Sequence, residues 1–518
     1  MKRITSIFLA VILVGVYFSP AGGFSFTSTP SFKPAEGSDR ILVIISDLHM
    51  GVGKSPDGAW YPTEDFRWPR ALSLFLEEIS RQGNDRVDLL IAGDFLDMWQ
   101  PPANVPCQGA SADLGCTISE MKTIASLIVQ AHPGEFERLR AFAQRGDNRL
   151  HFIPGNHDAA LLIADVWEPL GQALAAGGGR VNFLPKGTWV STDGKIVIEH
   201  GHQIGNDANR YDTWPDIVRQ QDGQEYIIRP WGERFVQKIF NEQEANYPII
   251  DNFAPESAGV VWYRMQERGL TGSISDLARF VAFNLFQTSL LQKDQILGGD
   301  SSPQAKPEWN IAKARKLGHR LFLASLPQDD PSRAQLLEDT EQAKEFKQQL
   351  DLLALDAKKL PDTDIKMLCD LAALQGNRLC AAPELGAVKE KLLVPKERVF
   401  ATHLDQKRKE YPRLRYFIYG HTHCFEKAWP PYGKVQILNS GAFQCLMSKE
   451  EFLNLVKRKQ ITRAEGLRQI KLEELTPRYT FIRVISENGG LKPEVLQWEM
   501  AESEAAGQIV NPGNESCK

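Results

Sequence analysis

Hydrophobic positions along the chain fall into two rhythms. Short, nearly continuous apolar runs sit at 40–46, 88–92, 151–154 and 195–199, and each stops at a polar or glycine corner: Asp47, Gly93, Gly155 and His200. Runs of this length between turn residues read as strands. Between them, 68–81 and 117–145 carry apolar residues at helical spacing, so strand and helix alternate as in a layered α/β fold. Strand signals resume at 415–419, 435–438, 478–485 and 495–498, where they read as meander strands rather than further βαβ units.

The interval 206–412 differs in character. Amphipathic stretches at 275–296, 307–325, 332–359 and 364–374, separated by Gly, Pro and Asp, predict a mainly helical insertion or cap. Its Trp214, Trp231, Trp262 and Trp309 are expected to pack a core of its own. At the other end of the chain, Met1-Lys2-Arg3, an apolar run of 12 residues from Ile7 to Phe18 and Ser19-Pro20-Ala21 read as a signal peptide over 1–21, with a flexible linker over 22–39. A spanning helix needs about 20 apolar residues. Export, periplasmic or secreted, is therefore the expectation, and an uncleaved membrane anchor the alternative. Residues 501–518 read as a C-terminal tail.

Composition narrows the function. The chain has 518 residues, 42% hydrophobic and 24% charged, with a formal net charge of −5. That balance excludes a generic polyanion binder and argues against nucleic acid as a partner, because duplex binding draws on a basic stripe. The seven cysteines fall as Cys107/Cys116, Cys369/Cys380, Cys424/Cys445 and a lone Cys517. The spacing suits three short-range disulfides, with buried thiols as the competing reading for Cys424 and Cys445.

Five signatures occur in order: Asp47-Leu48-His49; Gly93-Asp94-Phe95-Leu96-Asp97; Gly155-Asn156-His157-Asp158; His200-Gly201-His202; and Gly420-His421-Thr422-His423. Any one is short enough to arise by chance. All five at strand ends are not readily explained that way. Two divalent cations about 3.5–4 Å apart need a bridging carboxylate and several ligands of intermediate hardness, which Asp, Asn and neutral His supply. The same donor set suits Mn²⁺, Fe²⁺ or Zn²⁺ better than Mg²⁺.

With these blocks the sequence resembles the calcineurin-like metallophosphoesterase superfamily. The resemblance implies a two-sheet β-sandwich flanked by helices, with its core split into 40–205 and 413–500 around the insertion 206–412. It also implies that Asp47, His49, Asp94 and His423 hold one metal ion and Asp94, Asn156, His200 and His421 the other. His157 would then assist the leaving group, oriented by Asp97, while a hydroxide bridging the metals attacks a phosphomonoester, phosphodiester or pyrophosphate. His200 is preferred to His202 as ligand because it directly follows its strand, leaving His202 to support it or face substrate.

Two departures bear on the substrate. The protein Ser/Thr phosphatases of the superfamily carry a phosphate-gripping Arg where this chain has Met98. The lipid A pathway pyrophosphatases carry Arg where it has His157. Arg210, in the loop after His200-Gly201-His202, is the candidate phosphate contact, with an ion pair to Asp207 or Asp212 as the competing reading. The loop 51–66, with Lys54, Trp60 and Tyr61, is a further rim of the pocket. The functional alternatives are a nuclease of the same superfamily and a partner-binding protein with a structural or vestigial metal site.

Overall fold

The computed structural model describes residues 40–254 and 396–512, apart from breaks at 56, 108, 110–112, 205–208, 231, 234–235, 238–240, 427–432, 488–489 and 501–504. Its apolar runs pair into two main sheets. The larger has seven strands in the order Gln508–Val510, Gly490–Glu499, Tyr479–Glu487, Ile41–Ile45, Val87–Ala92, Arg149–Ile153 and Val181–Phe183. Its last four strands are mutually parallel. The smaller sheet has the order Gln436–Asn439, Tyr416–Tyr419, Ile196–Glu199 and Thr188–Val190.

Side-chain alternation along each strand decides what lies on either face. Leu42, Ile44, Leu90 and Ile482 of the larger sheet pack against Ile196, Ile198, Ile418 and Leu438 of the smaller one. On the opposite face, Val43, Ile45, Leu89 and Ile91 are covered by Phe75, Ile124, Leu139 and Leu170 from the helices Pro69–Gln82, Ile118–Ala131, Pro133–Gln144 and Ala164–Ala173. Beyond the smaller sheet, Val197, Phe417 and Ile437 meet Phe400 and Leu404 of the helix Lys396–Glu410. The layers are therefore helix, sheet, sheet, helix, the expected architecture. Truncating a side chain as buried as Phe75 in such a core costs about 3–5 kcal/mol.

The single helical stretch expected over 117–145 is two helices. Thr117 and Glu120 close a reciprocal capping box at the first start, and Pro133 begins the second, because Pro has no N–H to continue the first helix but suits an N-terminal turn. The strands at 415–419 and 435–438 also differ from the meander expected: Tyr416–Tyr419 runs parallel to Gln436–Asn439 and to Ile196–Glu199. Strands buried on both faces lose the in-out alternation that marks a meander. Only Tyr479–Glu487 and Gly490–Glu499 form the expected antiparallel pair.

Of the interval 206–412, the part up to 254 opens with a hairpin rather than a helix. Val218–Gln221 and Gln224–Ile228 turn at Asp222-Gly223, both residues left-handed (φ 52° and 78°), and join Leu114–Thr117 in a three-stranded sheet. Ile217, Ile227, Tyr247, Ile249 and Phe253 enter the main core, and Trp214 packs on that core rather than on one of the insertion's own. The four amphipathic stretches, Trp231, Trp262 and Trp309 lie outside the described residues. Within the expected tail, Gln508–Val510 is an edge strand.

Two further expectations are corrected. Among the described residues no helix is long and apolar enough to cross a membrane, so membrane anchoring is not supported; residues 1–39, on which the reading of export rested, lie outside the described residues. Cys107 and Cys116 are disulfide-bonded as expected, but Cys424 and Cys445 are not bonded to each other. Cys424 is in a disulfide, and Cys445 is a buried thiol 3.4 Å from the Tyr479 hydroxyl. Cys369, Cys380 and Cys517 lie outside the described residues.

Candidate metal centre

Each signature begins where a parallel strand ends. Ile41–Ile45 delivers Asp47 and His49, Val87–Ala92 delivers Asp94 and Asp97, and Arg149–Ile153 delivers Asn156 and His157. From the second sheet, Ile196–Glu199 delivers His200, and Tyr416–Tyr419 delivers His421 and His423. Adjacent loops are stitched together by the backbone: Leu48 N donates to Asp94 O at 2.9 Å and Gly420 N to His200 O at 2.7 Å. The Asp158 carboxylate accepts from Gly155 N at 2.6 Å and Phe95 N at 2.9 Å, so Asp158 clamps two of the loops.

The local backbone is unusual. Asp47, His49, Asp94, His421 and His423 all have left-handed φ, between 48° and 71°. Such conformations cost about 1–3 kcal/mol each in non-glycine residues and gather where function holds them. The motif glycines serve proximity. A Cβ on Gly93 would lie 2.5 Å from the His200 ring, one on Gly155 2.5 Å from Asp94 N, and one on Gly420 2.7 Å from Asp47 Oδ2. Only the bare backbone lets the loops close on these side chains.

The side chains converge. His49 Nε2 faces His423 Nε2 at 3.2 Å and lies 3.9 Å from Asp94 Oδ2. His423 Nε2 is 3.5 Å, and His200 Nε2 4.0 Å, from Asp47 Oδ1, a buried oxygen with no hydrogen-bond partner. The His200 ring is the most telling. Its Nδ1 donates to the Ala92 carbonyl at 2.9 Å, so in the neutral ring Nε2 is a bare lone pair. That lone pair meets Asp94 Oδ2 and Asn156 Oδ1, each at 3.0 Å. Three acceptors pointed at one another are unfavourable unless a proton on Nε2 or a metal ion lies among them. Among the described residues, ligand atoms close enough to hold a metal ion fall into three groups: Asp47, His49 and His423; His49, Asp94 and His157; and Asp94, His200 and His421.

Electrostatics point the same way. Burial alone would lower the His200 imidazole, but Asp94 and Asp47 raise it to about 9; His49 is lowered by burial and His157, yet Asp97 and Asp94 bring it to about 9 as well. Burial would raise Asp94, and His200, His157 and His49 instead hold it well below the usual carboxylate range. Burial dominates at Asp47, which is raised. The pocket therefore demands positive charge.

His157 and Asp97 form the expected pair. His157 Nδ1 donates to Asp97 Oδ1 at 3.0 Å, the ring lines the cavity, and the Trp99 indole stacks on the imidazole at 4.0 Å between centroids. Trp99 N donates to the same Asp97 oxygen at 3.0 Å. Trp99 and Tyr211 were not foreseen: the Tyr211 hydroxyl donates to the Asn156 carbonyl at 3.1 Å. The Trp in Asp97-Met98-Trp99 was the available signal for the first, and nothing local marks the second.

His202 and Arg210 take less direct positions. His202 is buried between Tyr211 and Trp214, at 6.0 and 4.5 Å between ring centroids, and burial holds its imidazole well below the ordinary value. Arg210 Nη1 donates to the Gln203 carbonyl at 3.2 Å. Neither lines the cavity over the site. That cavity is lined by His49, Asp94, Asp97, Asn156, His157, His421 and His423 on the motif side, and by Asp65, Gln100, Asn209, Asp251, Asn252 and Gln444 opposite. Met98 is fully buried, away from any phosphate-gripping position. In the loop 51–66, Lys54 lies over the Trp60 ring at 4.3 Å, and Asp65 is the residue that reaches the cavity.

The family model for calcineurin-like phosphoesterases matches residues 41–271. The match ends before the block at 420–423. No curated protein matches the chain.

Proposed function

We propose that this calcineurin-like phosphoesterase domain is a hydrolase with two divalent metal ions that cleaves a phosphomonoester, phosphodiester or pyrophosphate bond. The observation that carries the reading is the buried convergence of His200 Nε2, Asp94 Oδ2 and Asn156 Oδ1 within 3.0 Å, three potential metal donors gathered where positive charge is favoured. The donors fit the metals: Asp47, His49, Asp94 and His423 would hold one ion and Asp94, Asn156, His200 and His421 the other, with Mn²⁺, Fe²⁺ or Zn²⁺ matching the mixed oxygen and imidazole set. Bound there, the ions supply the charge that makes water nucleophilic and neutralises phosphoryl oxygens.

The chain's own residues do the remainder. Asp97 accepts from His157 Nδ1 and fixes the ring so that Nε2 faces the cavity. A protonated Nε2 donates to the leaving oxygen as its bond to phosphorus breaks, a contribution of about 10²–10⁴-fold. Trp99 stacked on the ring holds that orientation. The core is formed by 40–205 and 413–500, and the interval 206–412 acts as a cap; Asn209, Asp251 and Asn252, from its described part, line the cavity and support this role. His202 backs His200 and His421 from behind. Arg210 orders the loop that carries Asn209, through Gln203, and is not needed as a phosphate contact.

The test is turnover by purified, Mn²⁺-loaded protein on p-nitrophenyl phosphate, bis-p-nitrophenyl phosphate and a panel of nucleotide sugars and lipid pyrophosphates. Hydrolysis of at least one class that Asp94→Asn abolishes is expected. Activity that survives Asp94→Asn, or no turnover on any phosphoester, would sink the reading.

A further inference from the structure

The cavity over the site is also lined by carboxylates that the mechanism does not use. Asp65 and Asp251 line the cavity, and Glu244 lies against Asp251 behind it. Asp65 and Glu244 are 9% and 2% exposed. Burial, and then Asp251, hold the Asp65 and Glu244 carboxyls well above the usual carboxylate range, and no Lys or Arg is among the described residues lining the cavity. Two buried amides sharpen the imbalance. Gln100 Nε2 donates to Glu244 Oε1 at 3.2 Å and Asn252 Nδ2 to Asp65 Oδ1 at 3.4 Å, so both amides have spent a donor on a carboxylate. Glu244 and Asp251 share a hydrogen bond, whereas Gln100 Oε1 and Asn252 Oδ1 are left without any hydrogen-bond partner, although both residues are only 4% and 3% exposed and line the cavity.

Buried acceptors in this number call for donors that carry charge. Asp65 and Asp251 line the same cavity as Asp97 and its partner His157, where the leaving group departs. A metal ion fits the wall less well. Among the described residues, the groupings tight enough for a metal all come from the motif residues and none from Asp65, Glu244 and Asp251. An ammonium group makes longer contacts, about 2.7–2.9 Å against about 2.0–2.1 Å for Mg²⁺, and brings three divergent N–H donors.

Resting on the phosphoesterase reading, we infer that the substrate's leaving group carries a primary ammonium, seated among Asp65, Asp251, Gln100 and Asn252. The enzyme thereby prefers amine-bearing phosphoesters to neutral ones of the same shape.

The experiment compares 4-(aminomethyl)phenyl phosphate with 4-ethylphenyl phosphate, each also as its methyl diester, on the Mn²⁺-loaded full chain. The two leaving groups are isosteric and differ in charge. The expected result is kcat/KM at least about tenfold higher for the amine at pH 7, with the ratio falling towards one in both Asp65→Asn and Asp251→Asn. Because the ratio is first read on the wild-type protein, a variant that fails to fold does not spoil the test. Turnover of both esters at equal rates would overturn the ammonium subsite and leave the hydrolase standing, whereas turnover of neither would bring down the hydrolase as well. Retention of a third equivalent of Mn²⁺ that Asp251→Asn releases would replace the ammonium by a metal.

Discussion

Gly155→Ala tests the geometry of the centre with one methyl group. Gly155 does not adopt a left-handed φ, so alanine meets no backbone penalty there and the effect is steric. The added Cβ would stand 2.5 Å from Asp94 N and 2.8 Å from its carboxyl carbon. Real Cβ contacts hold at 3.0 Å or more, and comfortable ones at 3.4 Å, so the loop carrying Asp94 must retreat by roughly 0.5–0.9 Å. The nearest obstacle includes main chain, which cannot swing aside as a long side chain would. Asp94 is shared by both proposed ion sites and accepts from His157 N at 2.8 Å, so its retreat disturbs metals and acid together. Misplacement approaching 1 Å costs about 10²-fold in rate, and overpacking about 1–3 kcal/mol in stability. Gly134→Ala is the control: nothing lies within 4 Å of its Cβ, and in the helix Pro133–Gln144 alanine should add about 0.5–1 kcal/mol. The assay pairs bound-Mn²⁺ content with kcat/KM on whichever ester is hydrolysed, beside denaturant unfolding. Wild-type metal content and turnover in Gly155→Ala would refute the argument.

Three other outcomes are expected. His157→Ala should lower kcat by about 10²–10⁴-fold while bound-metal content stays at the wild-type level; loss of metal together with activity would instead make it a ligand. Burial would lower His132, but Glu135 and Glu64 raise it from 6.5 to about 9, so its charge stabilises the fold fully below pH 6.5 and this contribution is lost as pH rises through 9. A shift of that size is worth about 3 kcal/mol for a group 2% exposed, and the unfolding free energy of wild type relative to His132→Gln should fall accordingly between pH 6 and pH 9.5; parallel curves would exclude it. Glu64→Gln should destabilise the protein by about 3–5 kcal/mol, because the Glu64 carboxylate accepts from Gly51 N at 3.2 Å, Phe66 N at 2.9 Å and the buried His132 at 3.3 Å, as well as from Gly53 N. A melting temperature unchanged from wild type would refute that role.

What was legible in the sequence was whatever strand ends impose locally. Asp47, Asp94, Asn156, His200 and His421 each follow a short apolar run, and the glycines beside them mark the close approaches that the loops make. The helix starts at Thr117, Ser448 and Thr462 carry reciprocal boxes with Glu120, Glu451 and Glu465, yet the helices Lys449–Lys459 and Arg463–Gln469 went unread beside stronger strand signals. The direction of Tyr416–Tyr419 against Gln436–Asn439 was not legible, since strands buried on both faces look alike in either orientation. Asp65, Gln100, Asp251 and Asn252 escaped notice for another reason. Carboxylates and amides spread over 188 positions have no mutual spacing, and only the folded chain sets them around one cavity. The place of His202 and Arg210 in the sequence points towards the substrate, and in the fold His202 packs on Trp214 and Arg210 donates to the Gln203 carbonyl.

The strand Tyr416–Tyr419 lies in the middle of the smaller sheet, between Ile196–Glu199 and Gln436–Asn439, and it carries His421 and His423. A growing polypeptide has therefore made four of the five ligand loops long before it can close the cage. Until that late strand slots into place, His49 lacks His423 and His200 lacks His421. Onset of turnover during synthesis or refolding should thus lag behind the appearance of secondary structure, and catalysis becomes a clock for the final docking step.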